Sequence, residues 1–81
     1  MNIHVGNISP KTSKWQIRMT FERYGQVGKI NMVDGDGDGD TNRSCHLEML
    51  FDHHGTMAIK KLNGTLLGGN VLTIRKTTTQ L

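Results

Sequence analysis

A chain of 81 residues leaves room for one small domain and a modest core. One cysteine excludes an internal disulfide and a cysteine-rich metal site, and no apolar run reaches membrane-spanning length, so a soluble cytoplasmic protein is the expectation. The formal charge of +3 is unevenly placed: four of the seven acids lie in Asp34-Gly35-Asp36-Gly37-Asp38-Gly39-Asp40, and the rest of the chain sets ten Lys and Arg against three acids.

In chain order, Asn2 to Gly6 alternates as a half-buried strand with Ile3 and Val5 on one face, and Ser9-Pro10 breaks it. Ser13 caps a helix predicted over Lys14 to Tyr24, in which Ile17, Phe21 and Tyr24 form the apolar stripe and Gly25 supplies a left-handed stop. Val27 to Val33 reads as a second strand, the Asp/Gly run as an open loop, and Ser44 to Met49 as a third strand. Asp52 is expected to cap a second helix whose narrow stripe is Gly55, Ala58, Ile59 and Leu62, closed by Asn63-Gly64. Thr65 to Leu67 with Gly68-Gly69-Asn70 looks like the entry to a short hairpin, and Val71 to Lys76 is the last strand, with Leu72 and Ile74 facing one way and Val71 out of phase.

Strand, helix, strand, strand, helix, strand is the split βαβ order of the ferredoxin-like α+β class, here as a single domain over residues 1–81. Right-handed crossovers put both helices on one face of a four-stranded antiparallel sheet in the order 4-1-3-2. The other face stays open.

Three segments carry a resemblance to a known family. Ile3-His4-Val5-Gly6-Asn7-Ile8 resembles the first ribonucleoprotein motif of RNA recognition motif domains. Phe21-Glu22-Arg23-Tyr24-Gly25-Gln26-Val27 is similar to that family's F-x-x-Y/F-G-x-V, and Ala58-Ile59-Lys60-Lys61-Leu62-Asn63-Gly64 to its A-I-x-x-L-N-G. The second ribonucleoprotein motif then falls on Asn42 to Met49. The resemblance implies a small single-domain member of bacterial type that binds single-stranded RNA, or single-stranded DNA, on the open sheet, where aromatic rings serve as stacking platforms. Here His4 stands at the ring position of the first motif, Ser44 and His46 at those of the second, and Arg43 at its usual glycine.

Alternation places His4, Ser44, His46 and Glu48 on the open face and Ile3, Val5, Cys45, Leu47 and Met49 in the core. On the RNA reading, His4 and His46 stack, Asn7 and Asn31 hydrogen-bond base edges, and Lys29, Arg43 and Arg75 hold phosphates. The competing reading is a module for protein interaction or self-association that kept the fold and lost RNA, using the bare sheet or an apolar pair, Trp15 and Met19, on the outer side of the first helix. Trp15 itself is expected to fold over the Ser9-Pro10 turn and cover half its area.

The run from Asp34 to Asp40 has the opening pattern of a calcium loop, D-x-D-x-D-G, but its twelfth position is Cys45 in a predicted core strand instead of a bidentate carboxylate. Weak electrostatic attraction of a divalent cation, and no dedicated metal site, is the expectation. His53 and His54 diverge by about 100° at a helix start, make a poor chelate, and are expected in solvent. Cys45 reads as a small buried hydrophobe. No nucleophile and base stand in a supportable relation, so neither an enzyme nor a cofactor is expected.

Overall fold

The computed structural model describes residues 1–33 and 43–78. Its elements are β1 (Asn2–Ile8), α1 (Lys14–Glu22), β2 (Val27–Val33), β3 (Arg43–Met49), α2 (Asp52–Leu62), a short pair β4 (Leu66–Leu67) and β5 (Asn70–Val71), and β6 (Thr73–Thr77). β2, β3, β1 and β6 lie side by side in that order, all antiparallel, which is the expected 4-1-3-2 sheet with β6 as its last strand. Ile17 and Phe21 of α1 and Ala58 and Leu62 of α2 join Ile3, Val5, Leu47 and Met49 in one core. Both helices therefore cover the same face, because each has only one apolar stripe to bury. No helix among the described residues is long and apolar enough to cross a membrane.

The helix ends depart in detail from the pattern read along the chain. Ser13 caps α1 in a reciprocal box with Gln16, its Oγ accepting from the Gln16 amide at 3.1 Å while its own amide donates to Gln16 Oε1 at 2.8 Å. α1 ends at Glu22, short of Tyr24. Gly25 has φ 158°, close to extended and far from a left-handed cap; glycine fits there because a Cβ would run into the His54 ring. In α2 the N-cap is Phe51, without a side-chain bond, and Asp52 is the first helical residue, where its carboxylate complements the helix dipole.

Two bulges set which side chains face the helices. Val5 pairs with Cys45 and Ile8 with Arg43, so Gly6 and Asn7 together oppose Ser44. Val27 pairs with Met49 and Ile30 with Leu47, so Gly28 and Lys29 together oppose Glu48. One extra residue in each strand returns the next apolar side chain to the core, and Ile8, out of phase with Val5 by simple alternation, is fully buried. At the first bulge Asn7 takes φ 59°, a left-handed conformation that asparagine tolerates better than most residues.

β4 and β5 form the short hairpin, turned by Gly68 and Gly69 at φ 63° and 87°, which is the backbone a tight two-residue turn needs. Val71 is out of phase because it belongs to this hairpin, where it is exposed, and the final strand starts at Thr73. The hairpin is tied to β1 through Asn7, whose Nδ2 donates to the Val71 carbonyl at 2.7 Å, while Asn70 Nδ2 donates to the Asn7 carbonyl at 3.2 Å. Asn7→Ala removes the first of these bonds, and urea unfolding should report a loss of about 1 kcal/mol. An unchanged midpoint would mean that the Asn7 amide does not tie the hairpin down.

Candidate nucleic-acid interface

One row of side chains crosses the open face. Asn31 on β2 pairs in register with His46 on β3, His46 with His4 on β1, and His4 with Arg75 on β6. The two imidazoles in the middle meet edge to face, with ring centroids 5.3 Å apart and planes at 71°. Partial burial holds the His4 pKa below its ordinary 6.5, and the Arg75 guanidinium and the His46 ring add to the lowering. Gly6 keeps the space beside this row open: a Cβ there would lie 2.6 Å from Thr73 Oγ1 and 3.3 Å from His4 Cε1.

Two shorter rows flank the first. On one side Glu48 lies between Asn2 of β1 and the Gly28-Lys29 bulge of β2, with Thr77 beyond Asn2. On the other, Ser44 pairs with Val33, and Gly6 with Thr73. Asn2, Val33 and Thr77 are members of the face that motif matching passed over; the alternation of β1, β2 and β6 carried the signal.

The expected binding residues divide. His4, Ser44, His46, Asn31 and Arg75 come together on the open face, and Lys29 stands exposed at its edge in the bulge. Arg43 does not join them. It shares the phase of Cys45, Leu47 and Met49, so its side chain goes to the helix side, where Nη1 donates to the Thr12 carbonyl at 3.1 Å. Asn7 sits at the rim with its amide group bonded to Val71, because the bulge turns it out of the strand pattern.

Elsewhere, Trp15 is 65% exposed and does not fold over the Ser9-Pro10 turn, and Met19, one helical turn along, is 52% exposed. At α1 positions opposite Ile17 and Phe21, neither has a layer to pack against. His54 is also not a free surface group: it packs against Gly25, with Phe51 and His53 rings at 5.5 Å and 4.1 Å. Cys45 is buried as expected, and burial pushes its thiol up to about 12. The Asp34 to Asp40 run lies outside the described residues, among which no three potential ligands gather for a metal.

A four-stranded sheet backed by two helices, with the ribonucleoprotein segments on its two central strands, defines an RNA recognition motif domain. The family model described as RNA recognition motif matches residues 3–73, and the chain belongs to that family, one of binding domains and not of enzymes. It is 34% identical to mouse "RNA-binding protein 44" over 74 residues and 32% identical to Drosophila "RNA-binding protein lark" over 79 residues. These matches cover 90% and 98% of this chain but 7% and 20% of those proteins. The relatives are animal proteins, which lend no support to a bacterial-type member. Among solved structures, the first two domains of yeast poly(U) binding protein Pub1 superpose with a TM-score of 0.88 at 18% identity, over all of this chain and 48% of that one. The Rna15 domain with bound GU RNA superposes with a TM-score of 0.81 at 20% identity, over 96% of this chain and 83% of that one. At such identities the likeness is one of fold.

Proposed function

We propose that this chain is a cytoplasmic RNA-binding domain that takes single-stranded RNA weakly across the open sheet. The observation that carries this reading is the central row Asn31, His46, His4 and Arg75, which supplies two stacking rings between a hydrogen-bonding amide and a cation. His4 and His46 stack bases, Asn31 reads an edge, Lys29 and Arg75 hold phosphates, and Ser44 offers a hydroxyl. Binding is weak because stacking on a full aromatic ring is worth roughly 1–3 kcal/mol per base, and this face has two imidazoles and a serine at the three ring positions.

The competing reading, a protein-interaction module, draws support from the exposed Trp15 and Met19 on α1. Trp15 and Met19 lie on the helix side, away from the open sheet, so one titration separates RNA binding from docking at that pair. Adding a random single-stranded RNA octamer to isotopically labelled protein should shift the amides of His4, Ser44, His46 and Arg75 and leave Trp15 and Met19 in place. Silence of the whole sheet face at millimolar RNA would remove the RNA reading.

A further inference from the structure

Glu48 is an acid in a row that flanks the imidazoles, amide and cation of the central row. Strand alternation places it on the same open face as His46, two residues away and so about 7 Å along β3. Its carboxylate makes no hydrogen bond or ion pair with any described residue. The bulge opposite gives it room: a Cβ on Gly28 would lie 2.6 Å from Glu48 Oε1 and 3.1 Å from Leu50 Cδ2, so the carboxylate lies down over β2. A carboxylate so placed repels phosphate and accepts hydrogen bonds only. In an RNA it favours the donors, the base-edge N–H groups and the ribose 2′-hydroxyl, and of these only the base edges differ from one base to another.

The four bases are unequal partners for a carboxylate. Guanine presents two neighbouring donors, N1–H and the N2 amino group, that match two carboxylate oxygens side by side. Adenine offers its N6 amino group next to the N1 lone pair, and cytosine its N4 amino group next to the N3 lone pair, so in each case an acceptor is pushed against the carboxylate. Uracil has one donor, N3–H, between two carbonyls. A base stacked on His46 reaches toward Glu48 with its edge, since 7 Å along the strand is spanned by half a purine and the length of a glutamate side chain.

We propose that Glu48 makes this face selective for guanine, by accepting from N1–H and N2–H of a base stacked on His46. The inference rests on the RNA-binding reading given above, and deepens it from single-stranded RNA in general to RNA carrying an unpaired guanine at the His46 position. Gly28 is a positioning residue for it, keeping the carboxylate flat on the sheet.

The test is fluorescence anisotropy with labelled RNA octamers of uridine carrying one central guanosine, adenosine, cytidine or inosine. The guanosine octamer should bind between about five- and a hundredfold more tightly than the adenosine and cytidine ones, the range of a good bidentate contact. Inosine keeps N1–H and lacks the N2 amino group, so it should lose most of the preference. Glu48→Gln replaces one acceptor by a donor and should level the four affinities, while its loss of negative charge lets the cytidine and adenosine octamers bind somewhat more tightly. Gly28→Ala, which displaces the carboxylate and leaves its charge, should reduce the guanosine preference without that general gain. Amide spectra of both variants, unchanged away from β2 and β3, establish that they are folded. Binding of all octamers with equal affinity, or a guanosine preference retained in Glu48→Gln, would overturn the inference and leave RNA binding intact. Failure of every octamer to bind would overturn both readings together.

Discussion

The double variant His4→Phe, His46→Phe should bind single-stranded RNA at least about tenfold more tightly than the wild type, since each added phenyl ring recovers part of the roughly 1–3 kcal/mol that a base gains by stacking. The geometry allows it. The two imidazoles already meet edge to face at 5.3 Å, an arrangement two phenyl rings adopt readily, and Gly6 leaves the space next to His4 unfilled. A phenyl ring is larger than an imidazole and holds water less strongly, so a base displaces that water at lower cost. Neither side chain belongs to the core, and thermal unfolding should change little. Isothermal titration with an RNA octamer measures the gain. Equal or weaker binding by the double variant would show that the imidazoles are not stacking platforms, and would move the binding site off the central row.

Acidification should strengthen RNA binding, and the His4 environment in the unbound protein sets how far down in pH the gain continues. In the unbound protein, burial, Arg75 and His46 hold the His4 pKa below 6.5, so this ring is neutral near pH 7. As pH falls through 6.5 the unfolded chain takes up the proton before the folded one, and the His4 contribution to folding stability, complete above that pH, is progressively lost. RNA phosphates reverse the bias. They favour the charged ring, its pKa rises in the complex, and binding takes up a proton, so affinity grows as pH drops. Arg75 on β6 and His46 on β3 oppose the charge, and Glu48 farther along β3 and the phosphates support it. The gain therefore begins as pH falls through the raised His4 pKa of the complex and levels off only below the free-protein value, which lies under 6.5. Each unit by which the complex raises the His4 pKa is worth up to about tenfold in affinity once the pH is below both values. RNA affinity measured from pH 7.5 to 5 in the wild type and in His4→Gln, His46→Gln decides the matter. The same pH response in both proteins would assign it to His53, His54 or overall charge.

The chain alone was enough for the element order, for the side on which β1 and β3 bury their apolar residues, and for placing His4, Ser44 and His46 together, because strand alternation and helical stripes are local properties with fixed periods. The same local logic located Gly68-Gly69 as a turn and Ser13 as a cap. It did not extend to positions whose fate depends on a distant partner. Asn7 and Arg43 look like RNA ligands in the motif, but the first is bonded to Val71 across the hairpin and the second to Thr12 beneath the sheet, contacts made by residues 64 and 31 positions away. Trp15 stays exposed because no element arrives to cover it, and His54 is partly covered because Gly25 does. The two bulges matter most. Each shifts the strand phase by one residue, turning Ile8 inward and setting Gly28 under Glu48, and a shift of that kind is decided by pairing between strands, which only the folded sheet contains.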